Sequence, residues 1–236
     1  MLHIAVLEDD PDQSDLMCLW LQEAGYQCRG FNTAAAFQRS FLRDTYDLLL
    51  FDWELPESSG IRVLRWVRDN CDWQIPVLFV TRREKEEDIV YALEQGADDY
   101  MAKPVTKAVT LARVRALARR SGVVKEETKV VEFGPLRVDF TNGAILRDGR
   151  EVELTEREGR LAFTLFGNLG RLLSRDYLLE TVWGMSGGVA TRTVDTHVSR
   201  LRQKLGLTPD QGWQLKAIYQ HGYRLERLQE NSAAVG

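Results

Sequence analysis

The chain has 236 residues, 44% of them hydrophobic and 28% charged, with a net charge of −4. That size fits one large domain or two ordinary ones, and that balance describes a folded, soluble protein. No stretch approaches the ~20 apolar residues needed to span a bilayer, and the N-terminus lacks the basic region of a signal peptide, so a cytoplasmic protein with no membrane contact is expected.

Charge is unevenly spread. Residues 1–120 carry fifteen Lys/Arg against twenty Asp/Glu, residues 121–236 carry sixteen against fifteen, and 188–228 carry seven against three. A basic excess near the C-terminus points to nucleic acid at that end. Cys18, Cys28 and Cys71 show no CxxC or metal-ligand spacing and read as reduced thiols.

In chain order, His3–Leu7 is an apolar run that ends in Glu8-Asp9-Asp10, and Asp47–Phe51 is another that ends in Asp52. Such runs suit strands buried on both faces. Between them lie two helices. One runs from Asp12 to Ala24, with Leu16, Leu19 and Trp20 at helical spacing and Gly25 as terminator; the other runs from Thr33 to Arg43, with Ala36, Phe37 and Phe41 inward. A loop from Asp52 to Gly60 leads into the helix Ile61–Arg68, with Ile61, Leu64 and Val67 inward. Ile75–Val80 is a strand closing on Thr81, and acid-rich Glu84–Asp88 opens a helix ending at Gln95-Gly96. Asp99–Ala102 is a short strand before Lys103-Pro104, and Val109–Arg120 is a helix. Strands alternating with helices predict an α/β domain over 1–120, a doubly wound five-stranded parallel sheet of flavodoxin-like type.

Ser121–Lys129 is polar and aperiodic, a linker. Beyond it Val130–Phe133, Leu136–Phe140 and Ala144–Arg147 read as short strands, with Asp148-Gly149 as a hairpin turn. Thr155-Glu156-Arg157-Glu158 fits a capping box that opens a helix reaching about Leu169. Two more helices follow, Ser174–Val182 and Arg192–Leu205, the latter capped by Thr191 and stopped by Gly206. Trp213–Ile218 and Tyr223–Arg227 close the pattern as a hairpin. This order predicts an α+β winged-helix domain over 130–228, followed by a tail, 229–236.

A carboxylate just past a parallel strand sits at the sheet edge where open α/β sheets bind ligands. If the strands ending at Leu7 and Phe51 are neighbours, Glu8, Asp9 and Asp52 converge. Three carboxylates that close need a cation between them, and all-oxygen donors suit Mg²⁺. Asp52 is then a candidate acceptor of a phosphoryl group.

Glu8-Asp9, Asp52, Leu55-Pro56 with Ser59-Gly60, Thr81, Gly96–Tyr100 and Lys103-Pro104, in this order and spacing, resemble a response-regulator receiver domain. With its second half, the chain to about residue 228 resembles the OmpR/PhoB family of transcription factors. The resemblance implies a two-component protein that is not an enzyme. A partner histidine kinase would phosphorylate Asp52, and the receiver would dimerise to place the protein on double-stranded promoter DNA, with RNA polymerase a further candidate partner. Within that frame Glu8, Asp9, Asp52 and the Glu54 backbone carbonyl would hold Mg²⁺, and Lys103 would offer a point charge to a phosphoryl oxygen. A cis peptide before Pro104 would aim that lysine inward. Thr81 would donate to the phosphoryl group, and Tyr100 would turn inward as Thr81 moves.

The chain departs from the family pattern in several places. Arg82 stands where a small residue is usual. Shielding the phosphorylated aspartate, pairing with Glu54 and obstructing the kinase are all open to it, and slow phosphate exchange is expected. On the dimer face Asp98, Asp99, Arg113 and Arg120 match the family's salt-bridge partners. Ile89 and Val109 replace a further ion pair, so a two-fold dimer less dependent on phosphorylation is expected. Gly159 replaces an aromatic residue and should leave space beside the second core.

In the helix Arg192–Leu205, Val194, Val198, Leu201 and Leu205 share one face. Arg192, Thr196, Ser199, Arg200 and Gln203 share the opposite one, a set suited to base edges and phosphates, with Arg202 and Lys204 flanking it. Arg200 is expected on a base and Arg192 on a phosphate. Tyr219 and His221 occupy the hairpin tip where relatives often carry an arginine, so minor-groove affinity should be reduced. His3, His197 and His221 form no metal-ligand cluster. Two alternatives remain: an atypical regulator that binds DNA with little or no phosphorylation dependence, and a small-ligand or nucleotide enzyme on the same kind of sheet. The lack of a GxGxxG or Walker loop weighs against the second.

Overall fold

The computed structural model describes residues 2–71, 73–121, 130–185, 191–219 and 221–228, and only the backbone of Thr191. The chain divides into two compact units, Met1–Glu126 and Glu127–Gly236. Most of the expected linker, all of the expected tail and the Thr191 cap lie outside the described residues.

The first unit runs β1 (His3–Leu7), α1 (Pro11–Glu23), β2 (Gln27–Phe31), α2 (Ala34–Phe41), β3 (Leu48–Phe51), β4 (Glu54–Leu55), β5 (Ser58–Ser59), α3 (Gly60–Asn70), β6 (Val77–Thr81), α4 (Glu86–Glu94), β7 (Asp99–Ala102) and α5 (Lys107–Arg120). Its main sheet has the order β2-β1-β3-β6-β7, every neighbouring pair parallel. The doubly wound five-stranded sheet expected from the sequence is therefore present. All residues of β1, β3 and β6 are buried, as double-faced strands require. Register pairs Leu7 with Phe51, so the residues that follow them, Glu8 and Asp52, leave the sheet side by side.

Two elements differ from the reading by pattern. Leu16 and Leu19, which marked α1 by their spacing, are 45% and 50% exposed, while Ser14, Met17 and Leu21 are buried. The helix rolls this way because it lies closely over β2, where a side chain on Gly30 would meet Ser14 Oγ at 2.6 Å. β2 itself, Gln-Cys-Arg-Gly-Phe, is an edge strand with one buried residue and carries no apolar run. A short hairpin, β4 with β5, also folds inside the expected Asp52–Gly60 loop.

The second unit contains β8 (Val130–Phe133), β9 (Leu136–Asp139), β10 (Ala144–Arg147), β11 (Arg150–Glu151), α6 (Glu156–Gly167), β12 (Leu172–Ser174), α7 (Arg175–Trp183), α8 (Thr191–Leu205), β13 (Trp213–Ile218) and β14 (Gly222–Arg227). An antiparallel sheet β11-β10-β9-β8 precedes the helices, and β13 and β14 form a hairpin with β12 on its outer side. This is the winged-helix arrangement. Asp148 and Gly149 both take positive φ, 51° and 76°, as a two-residue hairpin turn demands. The capping box forms: Thr155 Oγ1 accepts from the Glu158 amide at 3.3 Å, and Glu158 Oε2 accepts from the Thr155 amide at 2.9 Å. Trp213, Phe166 and Phe133 pack edge and face at the centre of this core. No helix among the described residues is long and apolar enough to cross a membrane.

Candidate phosphoryl site and nucleic-acid interface

At the C-terminal edge of the parallel sheet, carboxylate oxygens of Glu8, Asp9 and Asp52 lie within 4.8 Å of one another. Glu8 and Asp52 are buried and Asp9 is half-buried. The edge is fixed from several sides. The Glu8 amide donates to Phe31 O at 3.0 Å, Asn32 Nδ2 donates to Glu8 O at 3.2 Å, and the Asp52 amide donates to Leu7 O at 2.8 Å. Gly60 lies so close beneath that a Cβ there would stand 2.1 Å from Asp52 O, so only glycine lets α3 start at this point.

Lys103 crosses from the end of β7 and is joined to Pro104 by a cis peptide. Its Nζ donates to Glu8 Oε2 and to Asp52 Oδ2, each at 2.7 Å. Burial works against the Lys103 charge, but the hydrogen bonds to Asp52 and Glu8 outweigh it and hold the ammonium above its ordinary pKa. Burial pushes the Glu8 carboxyl up, the nearby Asp52 charge adds to this, and Lys103 offsets only part of the rise. The other oxygen of Asp52 accepts from the Glu54 amide at 3.1 Å. Hard oxygen donors in surplus over the single ammonium fit a hard divalent cation.

Thr81 is fully buried at the end of β6 and Tyr100 is 8% exposed in β7. The Tyr100 hydroxyl donates to Arg83 O at 2.5 Å, and burial pushes it up to about 12. Arg82, singled out in the sequence, is exposed. Arg83 is the arginine on the site: its guanidinium lies 5.0 Å from the Trp53 ring centroid, 3.5 Å from Glu54 Oε1 and 3.0 Å from Asp88 Oδ1. With Asp9, Trp53 and the β4–β5 hairpin, Arg83 lines a shallow cleft of about 430 Å³. Sequence reasoning gave Arg83 no role, and strand alternation could not place it, because β6 ends at Thr81 and residues 82–85 are irregular.

Of the expected dimer face, Asp99 is held by Arg113 at 3.0 Å and lies 3.9 Å from Arg120, and Asp98 accepts from Arg68 and from the Val77 amide. These carboxylates are thus engaged within the chain itself. Val109 is 46% exposed and Ile89 is half-buried.

In the second unit Val194, Val198, Leu201 and Leu205 are buried, and Arg192, Thr196, Ser199, Arg200 and Gln203 are exposed on α8. The flanking cations are tied back: Arg202 donates to Leu215 O at 2.6 Å, and Lys204 donates to Glu158 Oε2 at 2.8 Å and Glu153 O at 3.0 Å. Asp195, unremarked in the sequence, anchors the helix. It accepts from the Tyr223 hydroxyl at 2.6 Å and from Arg175 at 3.0 Å. Tyr219 is 84% exposed, and the His221 ring nitrogen Nδ1 lies 2.7 Å from Tyr219 O.

Residues 4–115 match the response regulator receiver domain, and residues 149–225 match the family described as transcriptional regulatory protein, C terminal. The fold and the site thus define a response regulator that joins a receiver to a DNA-binding regulatory domain. The sensory transduction protein RegX3 of Mycobacterium tuberculosis is 34% identical over 228 residues, 96% of this chain and 100% of the relative. The transcriptional regulatory protein CseB of Streptomyces coelicolor is 35% identical over 235 residues, 95% of this chain and 97% of the relative. The phosphate regulon transcriptional regulatory protein PhoB of Pseudomonas aeruginosa is 33% identical over 204 residues, 86% and 89% of the two chains. The chain belongs to the OmpR/PhoB family of response regulators.

Proposed function

We propose that this protein is a transcription factor whose receiver, residues 1–120, accepts a phosphoryl group on Asp52 from a partner histidine kinase. Residues 121–129 link it to a DNA-binding domain, 130–228, with 229–236 as a tail. The phosphorus–nitrogen bond of the kinase phosphohistidine breaks as an Asp52 oxygen bonds phosphorus, and the imidazole leaves. Lys103 then balances charge on a phosphoryl oxygen, and Thr81 donates to another. Glu8, Asp9, Asp52 and the Glu54 carbonyl would hold Mg²⁺, which when bound neutralises charge that builds on the transferred group. Support comes above all from the buried Lys103 ammonium placed between Glu8 and Asp52, with three carboxylates within 4.8 Å.

Two receivers would pair through Asp98, Asp99, Arg113, Arg120, Ile89 and Val109. Arg192, Thr196, Ser199, Arg200 and Gln203 would face the major groove of promoter DNA, with Arg202 and Lys204 at its flanks and Tyr219 and His221 at the backbone. RNA polymerase is a further candidate partner. The test is incubation of the full chain with Mg²⁺ and a small acyl-phosphate donor. A base-labile phosphate on Asp52, absent in Asp52→Asn, is expected, and incorporation elsewhere overturns the assignment.

One observation favours a second reading, DNA binding with little dependence on phosphorylation. Tyr100 is already buried, with its hydroxyl on Arg83 O. Equal retardation of promoter DNA by wild type and Asp52→Asn would support it.

A further inference from the structure

Away from the acidic cluster, α1 and β2 bring two thiols together. Cys28 Sγ donates to Cys18 Sγ across 3.0 Å, and both residues are half-buried, within reach of small solutes. Met17, next to Cys18, anchors α1 in the core, and Cys28 pairs in register with Ile4. Gly30 leaves room for α1 one turn before Cys18, where a Cβ would stand 2.6 Å from Ser14 Oγ. The shared hydrogen bond makes the thiols unequal. It lowers the pKa of Cys18, against burial and the Asp15 charge, and raises that of Cys28, which burial raises further. Cys18 is thereby the better thiolate, and the thiolate is the reactive form.

We propose that Cys18 and Cys28 form a dithiol that hydrogen peroxide oxidises reversibly to an intramolecular disulfide, fastening α1 to β2. The Cys18 thiolate attacks one peroxide oxygen; the O–O bond breaks, leaving a sulfenic acid and hydroxide that protonates to water. Cys28 Sγ then attacks the sulfenic sulfur; the S–S bond forms, the S–O bond breaks, and the oxygen leaves as water with the Cys28 proton. Two thiols and one peroxide give one disulfide and two waters. The new bond would sit three residues before Phe31, whose carbonyl holds the Glu8 amide, so it would brace the strand beside the acidic cluster.

The test treats the full chain with hydrogen peroxide and follows intact mass and the cysteine peptide map. The expected result is a loss of two hydrogens, a Cys18–Cys28 linked peptide, and reversal by dithiothreitol. Cys71→Ser, which leaves the pair intact, is expected to behave the same. Cys18→Ser and Cys28→Ser should each lose the two-hydrogen shift, and the wild-type map decides alone if either variant misfolds. Separate sulfinic acids at 18 and 28 without a link, a link between chains, or oxidation confined to Cys71 would each overturn the proposal.

Discussion

Lys103 Nζ stands 2.7 Å from Asp52 Oδ2 and as close to Glu8 Oε2, with all three side chains buried. One ammonium is therefore shared by two buried carboxylates. Lys103→Met should remove about 3–5 kcal/mol of stability in chelator, because the carboxylates are left facing one another. Added Mg²⁺ should then raise the melting temperature of the variant more than that of wild type. Thermal unfolding with and without Mg²⁺ reads this directly, and an equal Mg²⁺ shift in both proteins would count against an ion site among these residues.

Arg83 rather than Arg82 should govern traffic to Asp52. Its guanidinium neutralises Glu54 and Asp88 beside the cleft, whereas Arg82 is exposed. Removing that charge leaves Glu54 to repel an anionic phosphodonor. Arg83→Ala should slow phosphorylation about threefold or more, and Glu54→Gln should speed it, on electrostatic grounds alone. Arg82→Ala should stay within about twofold, since an exposed charge is largely screened. Rates with a small acyl phosphate at physiological salt separate the three.

The contrast between the arginines also shows where the sequence was legible. Apolar runs ending in acids placed β1 and β3, and the acidic cluster was legible on one condition, that these strands are neighbours, which the pairing of β1 with β3 meets. β2 could not, because an edge strand needs no apolar run and its five residues carry one buried side chain. The roll of α1 was hidden for a related reason: Leu16 and Leu19 match helical spacing, but contact at Gly30 decides which face turns inward. On α8 the wheel separated core from surface correctly. It could not say which surface cations were already in use, since Leu215 and Glu158 are distant in sequence from Arg202 and Lys204.

The buried Glu158 couples helix capping to pH. Burial pushes its carboxyl up, but Lys204 at 2.8 Å and the Thr155 amide pull it further down, to a net value below the usual range. A carboxyl lowered by folding stabilises the protein at neutral pH, and that contribution is lost as pH falls through the lowered value. Glu158→Gln should therefore melt below wild type at pH 7, with the gap closing as pH falls below the usual carboxylate range. Thr155→Ala, which removes the other half of the box, should cost about 1 kcal/mol.

Gly159 sits in α6 with only Phe163 near the position of an added Cβ, at 3.9 Å, beside an open cleft of about 630 Å³. Nothing opposes a methyl group, and glycine is costly inside a helix. Gly159→Ala should stabilise the protein by roughly 0.5–1 kcal/mol, measured as a rise in melting temperature. A fall would mean that the cleft closes in solution around this position.

Arg200 and Arg202 are two residues apart on α8, yet they should fail in different assays. Arg200 is exposed on the face opposite the buried Val194, Val198 and Leu201. Arg202 is half-buried and spends its guanidinium on Leu215 O of β13. Arg200→Ala should leave the melting temperature unchanged and weaken promoter binding by about 1–3 kcal/mol, with discrimination relaxed at one base pair. Arg202→Ala should lower the melting temperature, because a buried carbonyl loses its charged donor, at about 1–3 kcal/mol. Its DNA affinity, measured well below that temperature, should change uniformly across sequences or not at all. Thermal unfolding paired with binding to an operator panel tells the two apart, and a thermally silent Arg202→Ala that alters base preference would reverse the assignment.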